Sequence, residues 1–173
     1  SIGTLGLQML DGPMKPSLTT PDPVTLHAEL AKLRRQGVTH AVLEASSHGL
    51  DQRRIDGVHL TTAAFTNLTR DHLEYHGTTQ SYLAAKARLF AELLPCDGVA
   101  VLNADVPEFG SLSGLIRGRT LTYGRAASDI VLRDATPTPT GTSAKLTIMG
   151  LDIDLKVPLA GLFQTNNVLC AIG

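Results

Sequence analysis

The sequence predicts an α/β fold, a mostly parallel sheet flanked by helices, with a small antiparallel β-meander. Two observations carry the parallel part. Short apolar runs, His40–Glu44, Thr61–Thr66 and Gly98–Asn103, alternate with stretches of helical periodicity. Strands that are apolar throughout are buried on both faces, as in parallel sheets covered by helices. A third observation sets the meander apart. From residue 128 to 158 apolar and polar residues alternate, with Pro137–Gly141 and Gly150 supplying turns, the pattern of half-exposed antiparallel strands.

Taken in order, Pro21 and Pro23 introduce a helix over Val24–Gln36, with Leu26, Leu30 and Leu33 on one face and Gly37 as its stop. The strand His40–Glu44 follows, closed by Ala45-Ser46-Ser47-His48-Gly49, and a polar helix or turn over Leu50–Asp56 leads to the strand Thr61–Thr66. Thr78 and Thr79 are N-cap candidates for a helix reaching about Leu94. Gly98–Asn103 is a buried strand, Val106–Ile116 a helix and Thr120–Tyr123 a strand. Ile130–Arg133, Ala144–Met149 and Leu151–Val157 then form the meander.

At 173 residues, 43% of them hydrophobic, the chain is long enough for one domain with a sizeable core. Fifteen Lys and Arg stand against sixteen Asp and Glu. No basic stripe suggests a nucleic-acid or membrane partner. Cys96 and Cys170 lie in apolar contexts without metal spacing and read as buried thiols of a reducing compartment. With no apolar run of membrane-spanning length and no signal peptide, the expected location is cytoplasmic. The chain opens on Ser1 without an initiator Met and closes in a helical run, Val168–Gly173, as expected of a domain excised from a longer protein.

Ligands of doubly wound sheets bind beyond the carboxyl ends of strands. Glu44, Asn67 and Asn103 end the three apolar runs, and His72 lies just past the second. Such a carboxylate and imidazole could hold a divalent ion together with a substrate phosphate. Each could equally be a capped turn or a surface histidine. His72 and His76 stand four apart, but Gly77 ends any helix there and no third ligand has matching spacing, so structural zinc is not expected. Lys86 shares the inward stripe of its helix with Tyr82, Leu89, Phe90 and Leu93. It is either a lysine snorkelling past the core or one directed into a site. Gln52, Arg53 and Arg54 follow the Ser46-Ser47 turn, as a solvated face or as a grip on carboxylate or phosphate. Thr19-Thr20-Pro21-Asp22-Pro23 reads as a helix-entry turn, and no Gly-x-x-x-x-Gly-Lys-Ser/Thr loop is present.

Together the tracts Thr19–Pro23, Glu44–Leu50, Thr66–Leu73, Lys86, Leu102–Asp105 and Gly161–Asn167 resemble the P-loop-type central ATPase domain of the Mur ligases, in the family's order and across nearly the whole chain. The Ser46-Ser47-His48-Gly49-Leu50 piece, with Gln52 and Arg54 behind it, resembles the branch that adds the third amino acid of the peptidoglycan precursor. The resemblance implies ATP-dependent amide-bond synthesis through an acyl phosphate. The substrates would be a UDP-muramoyl dipeptide and a diamino acid, meso-diaminopimelate or L-lysine. By position, Glu44, His72 and a carbamylated Lys86 would hold Mg2+, with Lys86 and His72 catalytic. Thr19, Thr20, Ser46, Gln52 and Arg54 would bind the UDP-peptide, and Asn67 and Gln164 the ATP. Gln164 stands where the family usually has an adenine-contacting Asn. The family's phosphate loop is expected upstream of Ser1, and its N- and C-terminal domains outside residues 1–173, so the fragment alone is expected to be inactive. The alternatives are another ligase of the superfamily, such as a folylpolyglutamate synthetase, and a non-catalytic binding domain of the same fold.

Overall fold

The computed structural model describes residues 1–9, 12–13, 18–69 and 72–173. The chain divides into two compact units, Ser1–His59 with His72–Leu89, and Leu60–Asp71 with Phe90–Gly173. Among the described residues no helix is long and apolar enough to cross a membrane.

The first unit opens with a small antiparallel sheet of β1 (Ile2–Gly3), β2 (Gly6–Met9) and β3 (Gly12–Pro13). These strands are too short and too rich in Gly for a period-2 signal, and the sequence did not announce them. The run His40–Glu44, expected as a strand of the main sheet, makes one isolated parallel bridge from Leu43 to Ile2. The Ile2 N–H donates to the Val42 carbonyl and the Glu44 N–H to the Ile2 carbonyl, both at 2.8 Å. Val42 stays 72% exposed, so the run has backbone partners on one edge but no apolar cover over this side chain.

Helix α1 (Pro23–Arg35) fits its expectation closely. The Asp22 side chain accepts from the Thr25 N–H at 3.0 Å, and hydrogen bonding to Thr25 holds the Asp22 carboxyl below its usual range. Leu26 and Leu33 are buried, and Gly37, at φ +82°, takes the left-handed turn that ends the helix. Helix α2 (Ser47–Asp51) starts earlier than Leu50, because the Ser46 hydroxyl caps it by accepting from the Gly49 N–H at 3.1 Å. The remaining residues to Asp56 are turns. Helix α3 (Leu73–His76) is a single turn, and α4 (Thr79–Arg88) is capped by the Thr78 hydroxyl on the Ser81 N–H at 3.1 Å. Arg88 clamps this unit: its guanidinium donates to both Asp56 carboxylate oxygens at 2.6 Å and to the Leu50 carbonyl at 2.5 Å.

The second unit is a six-stranded sheet whose strands lie in chain order. They are β4 (Thr62–Phe65), β5 (Val99–Asn103), β6 (Arg119–Gly124), β7 (Ile130–Thr138), β8 (Gly141–Ile148) and β9 (Leu151–Val157). The first four run parallel and the last three antiparallel. The meander is therefore continuous with the parallel strands, joined through only two rungs, Tyr123 with Ile130 and Gly124 with Val131. β4 is an edge strand and alternates: Ala63 and Phe65 are buried, Thr62 and Ala64 exposed. The expected burial of every residue in this run does not hold. Val101, Tyr123, Ile130, Leu132, Ala144, Leu146 and Leu169 form one apolar cluster, with Leu169 contributed by α6 (Phe163–Ile172). The helix expected over Val106–Ile116 shrinks to α5 (Phe109–Ser113), where Gly110 and Gly114 weaken helical order. The helix expected to reach Leu94 continues past α4 as a π-helical turn, Leu89–Leu93.

The two thiols differ. Cys96 is exposed, against expectation, while Cys170 is half-buried and burial pushes its thiol up. The fully buried Tyr123 hydroxyl donates to the Phe65 carbonyl at 3.0 Å, and burial, with Cys170 beside it, holds this phenol far above its ordinary value.

Candidate active site

In the first unit, hydrogen bonds tie four of the five residues read as substrate-binding into one network. Donor and acceptor roles follow from the chemistry of the partners. The Thr20 hydroxyl donates to the Glu44 carbonyl at 2.8 Å, so it can only accept from Ser46, whose N–H and hydroxyl lie at 2.9 and 3.0 Å. Arg54 donates through Nη1 to the Thr20 carbonyl at 2.9 Å, and through Nε and Nη2 to the Gln52 side-chain oxygen. Thr20 has no exposed surface and its hydroxyl is saturated, so it acts here by holding Ser46 and Arg54. Gly49 is required by close approach: a Cβ there would lie 2.6 Å from the Thr20 Cβ.

Glu44 joins the same wall from the other side. Its Oε2 accepts from the Thr4 N–H at 3.0 Å and the Thr4 hydroxyl at 2.9 Å. That hydroxyl proton is thereby used, so the Thr19 hydroxyl, 3.2 Å away, is the donor to Thr4. All five candidate substrate residues and Glu44 thus share one connected region of the unit.

His72, the imidazole that the sequence set beside Glu44, stands just before α3 in a left-handed conformation, φ 57°, with no side-chain bond capping that helix. It belongs to an aromatic cluster that sequence reasoning did not resolve. The His48 ring stands edge-on to His72 at 4.9 Å and packs on Tyr75 at 4.0 Å, centroid to centroid. His76 stacks on Tyr82 at 5.1 Å, and Tyr82 meets the edge of His72 at 6.0 Å. Burial, then the neighbouring His72 and His76, lower the His48 pKa and so favour the neutral ring. The only advance signal was the count of His and Tyr between residues 72 and 82.

Lys86 extends from α4 against the same cluster, its ammonium 5.3 Å from the Tyr82 ring centroid, within cation–π range. Burial lowers its pKa, opposed in part by the charge of Glu44. This half-buried lysine therefore carries more neutral amine than an exposed one. Among the described residues no three His, Cys, Asp or Glu stand close enough to hold a metal by themselves. Glu44 offers the kind of carboxylate oxygen that a hard divalent ion takes, and its charge acts on Lys86.

Asn67 and Gln164, read as ATP-side residues, belong to the second unit. Asn67 is exposed beyond the end of β4, and the Gln164 side-chain oxygen accepts from Asn167 at 3.0 Å. Asn103, the third strand-end candidate, is buried: it donates to the Thr66 carbonyl and accepts from the Asp105 N–H, both at 2.9 Å. Its side chain staples the ends of β4 and β5. The Arg70-Asp71 pair of the same motif lies outside the described residues.

Residues 1–173 match the family described as "Mur ligase middle domain". The chain belongs to the Mur ligase middle-domain family. A protein of Caulobacter vibrioides named UDP-N-acetylmuramoyl-L-alanyl-D-glutamate--2,6-diaminopimelate ligase is 45% identical, with 100% of this chain and 37% of that protein covered. One of the same name from Rhizobium meliloti is 48% identical over 99% of this chain and 36% of its own length. A solved structure of a ligase so named is 34% identical, with a TM-score of 0.81, covering 93% of this chain and 34% of that one. The chain thus spans little more than a third of the relatives it matches. A folylpolyglutamate synthetase from Lactobacillus casei shares the fold at 18% identity and a TM-score of 0.60, over 82% of this chain and 32% of that one. Fold alone does not separate these two chemistries.

Proposed function

We propose that this domain, within a longer protein, serves ATP-dependent joining of a diamino acid to UDP-N-acetylmuramoyl-L-alanyl-D-glutamate in peptidoglycan synthesis, in the cytoplasm. The observation that carries the reading is the single connected region holding Thr19, Thr20, Ser46, Gln52, Arg54 and Glu44. Relatives at 45% and 48% identity, named for that peptide and for 2,6-diaminopimelate, supply the substrate class.

In this reading Ser46, Gln52 and Arg54 grip the UDP-peptide, with Thr19 and Thr20 shaping the wall behind them. Arg54 suits the task because its planar guanidinium, already fixed by Thr20 and Gln52, loses little freedom on binding an anion. The D-Glu carboxylate attacks the γ-phosphorus of ATP, ADP leaves, and an acyl phosphate forms. The amine of the diamino acid then adds to the acyl carbon, phosphate departs, and an N–H proton passes to water.

Glu44 and His72 are the residues that would hold Mg2+, with Lys86 joining them once it carries CO2. The neutral Lys86 amine adds to CO2, forming an N–C bond and releasing a proton. The inward cation becomes an anion. Bound Mg2+ would neutralise charge on the phosphates as the acyl phosphate forms and breaks. Asn67 and Gln164 are assigned to the ATP.

The test is phosphate release by the whole protein that carries this domain. Release is expected only when ATP, UDP-muramoyl dipeptide and a diamino acid are all present. Turnover with a folate and glutamate instead would transfer the domain to the folylpolyglutamate synthetase branch.

A further inference from the structure

Beyond the residues already assigned, one chain of side chains in the first unit has a forced direction. Arg54 has only donors, and both Nε and Nη2 point at the Gln52 side-chain oxygen. That fixes the amide: its oxygen faces Arg54 and its NH2 faces away. The Gln52 Nε2 then donates to the Tyr75 hydroxyl at 3.1 Å. The Tyr75 hydroxyl in turn donates to Asp51 Oδ2 at 2.8 Å, a carboxylate that can only accept. The sequence of donations runs from a cation to an anion without a reversal. Such a chain polarises each link in the same sense.

The pattern has a consequence for Gln52. An exposed glutamine otherwise samples several rotamers, and a ligand that uses it must freeze them. Here Arg54 holds one end of the amide and Tyr75 the other. The Tyr75 ring is itself braced, tilted against His48 at 4.0 Å.

We propose that Tyr75, backed by Asp51, is a positioning residue for substrate recognition. Its hydroxyl orders Gln52, and through Gln52 the Arg54 guanidinium, for the UDP-muramoyl peptide. The proposal rests on the reading above that Gln52 and Arg54 bind that peptide. Tyr75 makes no contact with the reacting atoms.

The experiment is steady-state kinetics of the whole protein with Tyr75→Phe, Asp51→Asn and Gln52→Ala. Tyr75→Phe keeps the ring on His48 and removes only the hydroxyl. It is expected to raise KM for UDP-muramoyl dipeptide about five- to tenfold, with kcat and KM for ATP within about twofold. Asp51→Asn, which keeps an acceptor oxygen but loses the charge, should shift the same KM in the same direction by less. A merely structural role would move all three constants together and lower the melting temperature. An unchanged KM in Tyr75→Phe, with a raised KM in Gln52→Ala, would overturn the positioning role and leave the substrate assignment standing. An unchanged KM in Gln52→Ala would overturn the assignment of Gln52, and the positioning role with it.

Discussion

In the unit that carries Glu44, His72 and Lys86, much of the local order comes from hydrogen bonds made by side chains: Thr20 on Glu44 and Ser46, Arg54 on Thr20 and Gln52, Arg88 on Asp56 and Leu50. In the unit built on the six-stranded sheet, order comes mainly from ladder bonds and an apolar cluster that includes Val101, Ile130, Leu146 and Leu169, with side-chain bonds such as those of Asn103 and Tyr123 tying strand ends. The difference suits different tasks. An apolar cluster fixes a scaffold, whereas a polar network can present oriented donors and acceptors to a ligand. The network is also the more fragile, since each member depends on the next.

The comparison can be broken or sharpened by substitution in the whole protein, read by hydrogen exchange of individual amides. The largest effect is expected from Leu169→Ala. Leu169 has no exposed surface, and a buried Leu cut to Ala costs about 2–5 kcal/mol. Amides of β5, β6 and β7 should exchange faster, with those of α1 and α2 changed little. Equal acceleration in both sets would erase the distinction between the units.

Arg88→Ala should cost less, about 1.5–3 kcal/mol for hydrogen bonds to charged groups, with faster exchange in α2 and α4 and little change in β5 and β6. The smallest effect is a pH dependence. Hydrogen bonding to Arg88, above all, holds the Asp56 carboxyl below its usual range. A depressed carboxyl pKa contributes stability above the unfolded value and loses it as pH falls through the folded value. The clamp should therefore weaken only in acid, below about pH 4, and Arg88→Ala should flatten that part of the acid profile. An acid profile unchanged by Arg88→Ala would contradict the clamp.

Elements with strong local patterns were legible in the sequence. Helix α1 carried a cap, a Pro and a stripe, β5 was a continuous apolar run, and the meander alternated cleanly. The run His40–Glu44 carried Ala41, Val42 and Leu43 between polar ends, yet among the described residues its strand-like pairing is one bridge to Ile2, because pairing depends on distant neighbours that periodicity does not encode. For the site, Gln52 and Arg54 stood out as a spacing, but the bond between them did not. Tyr75 and His48 escaped any role because a lone aromatic ring in a polar tract has no pattern of its own. Their meaning comes from α2 and α3 being brought together in the fold.

The central claim is that this domain carries ligase chemistry with Lys86 directed at it, and one measurement tests it most directly. ATP-dependent ligation by the whole protein should fall about 10²–10³-fold or more in Lys86→Ala, the scale expected when a charge-stabilising group is removed from a catalytic site. Circular dichroism and melting temperature should stay near those of the parent. Activity that survives Lys86→Ala in a folded protein would contradict the account.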